Sequence, residues 1–340
     1  MKTKILALLP ALPLLFSGCT PIQHLLKEPQ EEYLDTVFFA MDTYITVRLA
    51  KAEVTDEQLG ETTAECERIV RALESVLSAH DPDSELYALN HSREEFTEIS
   101  ETLEDVLITA YDIHGWTDGA YDCTLGGLAE LWNITGGGPV PAQEDIDAFL
   151  EHVGYDKITL DEQRNTIMRS DTDVQLDLGG IGKGAAADRL IRYLETTDIA
   201  YGLVSVGGTI GVFGEKPDGT PYKIGIKDPD DPSGVLGYLY IEDGFVAVSG
   251  DYERYFEENG VRYHHIFDPS TGYPADSGLR SAAVHALNGA AADALSTALF
   301  VMGTEASLEL YETIGGFEAI LVSDTGITAT AGARTDFVNP

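Results

Sequence analysis

Two adjacent histidines, His264 and His265, stand in a segment richer in chemistry than a strand pair requires. Residues 249–274 read SGDYERYFEENGVRYHHIFDPSTGYP, with a Ser-Gly-Asp corner, paired aromatics and an Asp268-Pro269 corner. Asn259-Gly260 marks a tight hairpin turn. Beyond it, strand alternation points Val261, Tyr263, His265 and Phe267 one way and Arg262, His264 and Ile266 the other. Only one histidine can then share a face with Tyr263. A single histidine among aromatics is often just a satisfied side chain. Two in succession before Asp-Pro make one of them a candidate general base.

Three further groups exceed what folding needs. Asp293 and Thr297, in ADALSTALFVMG, lie at i and i+4 of an apolar helix and project from one face. A carboxylate with a hydroxyl offers hard oxygen ligands suited to Mg²⁺, which takes one or two protein carboxylates and completes its shell with phosphate and water. The same pair has a structural use: the Asp offsets the helix dipole and the Thr bonds back to a carbonyl. In DLGGIGKG, residues 177–184, glycines run into the helix AAADRLIRYL. Backbone can approach a ligand there, an anion can sit at the helix start, and Lys183 can add a point charge. This is no Walker A loop, since Gly184 stands where Ser or Thr is required. Gly180-x-Gly182-x-x-Ala185 is a weak dinucleotide fingerprint, and the acidic residue it wants after the next strand is missing, Asp198 preceding that strand instead. An ordinary glycine-rich turn also accounts for the segment. Last, Tyr121 and Asp122 in the Gly-flanked loop GAYDCTLGG, 119–127, suit a planar heterocycle with hydrogen-bonding edges; a plain helix connection would read alike.

These groups need a scaffold. Residues 38–49 read as a strand, with Thr43, Ile45, Val47 and Leu49 alternating against polar neighbours. Leu59, Cys66, Ile69, Val70, Leu73, Val76 and Leu77 recur at helical spacing over 55–79. Further helices are predicted over 100–116, 141–152, 184–196, 290–302 and 305–314. A hairpin at 157–160 and 166–169 leads to a strand at 174–178, and the last strands fall at 319–322 and 327–330. Interleaved strands and helices with frequent hairpins predict a single α+β domain, 35–340, with a mixed, largely antiparallel sheet and flanking helices.

The chain carries 58 acidic against 21 basic residues, a formal charge of −37, which argues against a nucleic-acid partner. The same charge makes a phosphorylated ligand hard to bind unless a metal cation intervenes. Cys66 and Cys123 make no disulfide framework. Residues 1–18 read as an export signal: Lys2 and Lys4, an apolar run too short to span a bilayer, then Ser17-Gly18 before Cys19. Such an end resembles the bacterial lipobox, in which the cysteine is lipidated; a plain signal with an incidental cysteine is the alternative. Polar residues 19–34 then read as a tether, which would set the protein on the outer face of a membrane.

In chain order, Met41-Asp42-Thr43, Asp81-Pro82-Asp83-Ser84-Glu85, 119–127, 177–184, Val206-Gly207-Gly208, 249–274 and Asp293 to Thr297 resemble the ApbE-type flavin transferases, from about Phe38 to the C-terminus. The resemblance implies a reaction in which FAD is split at its pyrophosphate and AMP leaves. FMN is esterified through phosphate to a Ser or Thr of an extracytoplasmic partner, a membrane electron-transfer component. It implies FAD contacts from Met41, Ala120, Tyr121, Asp122, Asp177, Lys183, His265 and Ile266. It also implies a Mg²⁺ site from Asp293, Thr297 and the Gly180 carbonyl, with Ser296 a neighbour, and His265 as base or positioning group for the acceptor hydroxyl. Mg²⁺ would then offset the chain's charge at the pyrophosphate. One departure is His80, where relatives carry an aromatic before Asp-Pro-x-Ser. Metal-dependent hydrolysis of FAD to FMN and AMP, and flavin binding without turnover, fit the same resemblance.

Overall fold

An eight-stranded antiparallel meander carries the site. The computed structural model describes residues 33–51, 54–231 and 233–338. The strands of the meander follow one another in chain order: β1 (Tyr33–Ala40), β2 (Thr43–Ala50), β3 (Gly202–Val206), β4 (Thr209–Phe213), β5 (Gly244–Gly250), β6 (Leu279–Ala286), β7 (Phe317–Ser323) and β8 (Gly326–Ala329). Each pairs antiparallel with the next. The excursion between β2 and β3 holds α1 (Asp56–Leu77), α2 (Glu101–Trp116) and α3 (Gly179–Leu194), and α4 (Gly289–Ile314) joins β6 to β7. The expected α+β domain with an antiparallel sheet is what forms.

The two faces of the sheet are covered differently. α3 packs on β3 and β4, and α4 on β5 and β6, with α1 and α2 behind them. Buried residues such as Ile45, Val47, Val204, Leu190, Ala294 and Leu299 fill that core. On the opposite face a hairpin of Tyr222–Lys227 and Val235–Ile241 seals a second core around Val212, Val246, Ala283 and Ile320. A third cluster joins Trp132 and Ile146 to Phe267 and to Phe256, which belongs to the separate hairpin Tyr255–Glu258 and Val261–His264. Among the described residues no helix is long and apolar enough to cross a membrane.

Local chemistry accounts for the helix ends. Thr55 and Gln58 form a reciprocal capping box at α1. α4 begins at Asn288, whose Oδ1 accepts from Ala291 N–H at 2.8 Å. The carboxylate of Asp188, inside α3, accepts from Gly289 and Ala290 N–H at 2.9 and 2.8 Å, so one helix caps the next.

Four sequence expectations are corrected. Residues 38–49 are two strands, because Met41 and Asp42 adopt left-handed φ values of 52° and 55° and close a two-residue turn. Asp42 tolerates that region but Met41 is no turn former, and a lone Asp in an alternating run is a weak signal. The strand expected at 174–178 is absent; Gln175 makes only an isolated parallel bridge to Leu125. The helix expected from Gly184 begins at Gly179, making the glycine run its first turn and a half rather than a loop. Helices expected at 290–302 and 305–314 form one run broken at Gly303, whose φ of 79° only glycine adopts readily. Cys66 and Cys123 are buried and free. Residues 1–32, including the predicted signal and Cys19, lie outside the described residues, and Tyr33 and Leu34 of the expected tether already pair in β1.

Candidate active site

At one end of the sheet the β1–β2 turn, the start of α3, the β3–β4 turn and the segment after β5 enclose a cleft of about 1010 Å³, roomy enough for a dinucleotide-sized ligand. Met41, Ala120, Tyr121, Asp122, Asp177, Gly180, Lys183, His265, Ile266 and Thr297 all line it. Asp293 lies beneath, 1% exposed, and connects to the wall through Lys183. Residues spread over 250 positions of sequence therefore meet, as the sequence reading required.

Asp293 is the hub of the polar floor. Its Oδ2 accepts from Gly184 N–H at 2.9 Å, a group that α-helical geometry would otherwise direct at the Gly180 carbonyl. Its Oδ1 lies 3.3 Å from Lys183 Nζ and accepts from Thr209 Oγ1 at 3.3 Å. One turn along, Thr297 Oγ1 donates to Asp293 O and lies 3.2 Å from Ser249 Oγ, itself 2.8 Å from Ser296 Oγ. Gly180 adjoins them: a Cβ there would come within 3.4 Å of Thr297 Oγ1. The Thr297 hydroxyl and the Gly180 backbone thus line the cleft with the Asp293 carboxylate buried beneath them, a grouping of hard oxygens.

The histidines separate as expected, though not by pleating alone. Strand pairing ends at His264, which is buried with Nε2 3.0 Å from Ala275 O. His265 leaves the ladder and lines the cleft. Its backbone N–H and ring Nδ1 both donate to Arg254 O, at 3.2 and 3.3 Å. A carbonyl can only accept, so Nδ1 carries the proton and Nε2 keeps a free lone pair. Burial, then the cations Arg254 and Lys183, push His265 down to about 3 from 6.5. The ring is neutral at physiological pH. Tyr121, which lines the same cleft, is 3% exposed and its hydroxyl has no partner among the described residues, while burial raises its pKa well above 10.

The ApbE family model matches residues 41–321. The chain belongs to the ApbE family. Two curated relatives are FAD:protein FMN transferases: that of Haemophilus influenzae is 36% identical over 263 residues, covering 74% of this chain and 75% of the relative, and that of Vibrio cholerae 35% over 257 residues, covering 73% and 75%. Among solved structures, the ApbE protein of Thermotoga maritima matches with a TM-score of 0.82 at 34% identity, covering 90% of this chain and 99% of that one. The flavin transferase ApbE of Vibrio cholerae matches at 0.80 and 29%, with 90% and 99% covered.

Within this ApbE-family chain several residues do work that sequence reasoning missed or assigned otherwise. Gly184 serves helix contact rather than a ligand: a Cβ would fall 2.0 Å from Gly289 O. Asp122 Oδ1 is engaged by Thr124 N–H and hydroxyl at 2.7 and 2.6 Å, shaping its own loop. Asp177 Oδ1 accepts from Gly179 N–H at 2.7 Å and starts α3. Glu74 of α1 accepts from Met41 N–H at 2.6 Å and holds the strained turn against the cleft. His80, at the expected aromatic position, lines the cleft and is exposed. Glu74 offered no signal, since it acts through a contact to backbone 33 positions away, and Arg254 acts through its carbonyl, which no side-chain pattern reveals.

Proposed function

We propose that this chain transfers FMN from FAD to a Ser or Thr hydroxyl of a partner protein and releases AMP. The observation that carries the reading is the meeting, in one cleft, of the Asp293, Thr297, Gly180 and Lys183 cluster with a neutral His265 whose Nε2 is free. The names of the relatives agree with it. The donor set fits Mg²⁺: Asp293, Thr297 and the Gly180 carbonyl are hard oxygens, and the ammonium at 3.3 Å marks the carboxylate as a cation partner. The buried Tyr121 hydroxyl, without a partner among the described residues, fits a ligand oxygen, since leaving it unsatisfied costs about 1–3 kcal/mol. Bound there, Mg²⁺ supplies charge neutralisation at the pyrophosphate and on departing AMP.

The protein's own groups do the rest. Lys183 offers positive charge to the phosphates, and the opening residues of α3 bring backbone close to them. His265 Nε2 takes the proton of the acceptor hydroxyl as that oxygen bonds to the phosphorus of the FMN half. The bond from that phosphorus to the bridging oxygen breaks, and AMP leaves with the bridging oxygen. The anionic pyrophosphate, arriving beside Lys183, offsets one of the cations that depress His265 and raises its proton affinity. Positioning and charge stabilisation supply most of such a rate.

Incubation with FAD, Mg²⁺ and a candidate acceptor, followed by intact mass spectrometry, is expected to show one FMN added to the acceptor; AMP release without any adduct would replace transfer by hydrolysis. His265→Ala should lower transfer by about 10²–10⁴-fold. Because His265 stays neutral from its ordinary 6.5 down to about 3, the kcat/KM profile for FAD should lack an acid inflection near 6.5. The same shift destabilises the fold on acidification: below 6.5 the unfolded chain binds a proton that the folded chain refuses until about 3.

We also propose that Cys19 is lipidated and holds the enzyme on the extracytoplasmic face of the cell membrane, where its acceptor is an extracytoplasmic flavoprotein. Support comes from the apolar run and small residues before Cys19. Labelling with a fatty acid should mark the wild type and not Cys19→Ala; equal labelling would exclude the anchor.

A further inference from the structure

Asp251 takes no part in that chemistry and does not line the cleft, yet it ties together the elements that hold His265. It follows directly on β5, with its side chain 14% exposed. Its Oδ2 accepts from two guanidinium groups: Arg280 Nε at 2.9 Å and Arg262 Nη1 at 3.3 Å. Arg280 lies on β6 and is held on its other side by Asp230 and Asp324, at 3.0 and 3.3 Å. Arg262 lies on the Val261–His264 strand, stacked over Tyr255 at 4.2 Å and 3.7 Å from Glu257. The two strands of that hairpin pair only with each other, so no ladder joins them to the main sheet. The Asp251 carboxylate makes that connection instead. Three residues on, the same loop presents the Arg254 carbonyl to His265.

We propose that Asp251 is a positioning residue for His265. Its carboxylate clamps the hairpin and the 251–254 loop to the sheet, so that the Arg254 carbonyl selects the tautomer with Nε2 free. The inference rests on His265 as the working base. Both guanidinium groups bond the same oxygen, so an asparagine that turns its NH₂ into that place loses both contacts, and one that keeps its oxygen there still loses the charge that draws the two cations together. Loosening the loop moves the carbonyl, and displacements near 1 Å at a catalytic group are enough to cost about 100-fold in rate.

The test uses the full chain with Asp251→Asn, Arg262→Ala and the double variant. AMP release from FAD with Mg²⁺ gives kcat and KM, thermal unfolding gives stability, and ¹⁵N long-range spectra give the protonation of each His265 ring nitrogen. Each single variant is expected to lower kcat about 10- to 100-fold with KM for FAD within twofold. The double variant should be no worse than the poorer single, as one shared contact dictates. The His265 ring should change from a single Nδ1–H form to a mixture of tautomers. Lower thermal stability with unchanged kcat and an unchanged ring spectrum would overturn the proposal and leave a structural clamp. Should Asp251→Asn not fold, Arg262→Ala carries the same readouts, since Arg280 keeps three acidic partners. A wild type that releases no AMP even with a candidate acceptor present would refute the functional reading, while the ring spectrum still decides the clamp.

Discussion

Asp293→Asn should reduce AMP release from FAD by about 10²–10³-fold while the protein remains folded. The asparagine keeps an oxygen for Gly184 N–H, which Asp293 holds at 2.9 Å, so the junction of α3 and α4 survives. It removes the negative charge that faces Lys183 and the Thr209 hydroxyl. Hard-cation affinity in this cluster depends on that charge, since hydroxyl and carbonyl oxygens contribute only dipoles. The dependence of turnover on added Mg²⁺ should therefore weaken in parallel with the rate. Asp293→Ala should do more harm: it leaves Gly184 N–H and Thr209 without their carboxylate and Lys183 with Gly179 O in its place, and a buried polar group left unsatisfied costs about 1–3 kcal/mol. Chromatographic detection of AMP across a Mg²⁺ series, beside thermal unfolding, separates the two effects. Wild-type turnover by Asp293→Asn would remove Asp293 from the metal reading.

Gly184→Ala should be the most destabilising single methyl this chain can receive near the site. Its Cβ would meet Gly289 O at 2.0 Å and Asp293 Cβ at 2.7 Å, and in return a Cβ on Gly289 would meet Gly184 O at 2.7 Å. Main-chain atoms offer no rotamer escape, so α3 and α4 must move apart. Overpacking of this kind costs about 3 kcal/mol, which corresponds to a fall in Tm of roughly 5 °C for a domain of this size. Separation also pulls Gly180 on α3 away from Asp293 and Thr297 on α4, so AMP release should fall even at temperatures where the variant is folded. Gly60→Ala is the control: that glycine is exposed within α1 with nothing within 4 Å of its missing Cβ, and alanine there should be neutral or stabilising by about 0.5–1 kcal/mol. Equal behaviour of the two variants would show that the close approach of the helices does not matter.

Much of the site was legible because its signals are local. Asp293 and Thr297 announced themselves through helical spacing, and the structure sets both at the cleft on α4. Tyr121 stood out as an aromatic in a glycine-flanked loop, and it is buried with an unanswered hydroxyl. His265 and His264 were separable by strand alternation, although the strand ends between them and the exit of the chain from the ladder is what turns His265 to the cleft.

What the amino-acid order settled by itself were the amphipathic helices, the hairpins with Asn-Gly turns and the chemical types brought to the site. Those follow from periodicity, turn chemistry and side-chain class, all readable within a few residues. Tertiary structure decided why the glycine run exists, where the Met41-Asp42 turn folds, and which carbonyl holds the histidine. Gly184 looked like a ligand loop because the helix it touches lies 105 positions away, at Gly289. Asp251 looked like part of a turn because its two arginine partners sit on strands 11 and 29 positions further on. Contacts of that span leave no period in the sequence, and only packing shows which backbone a missing side chain makes room for.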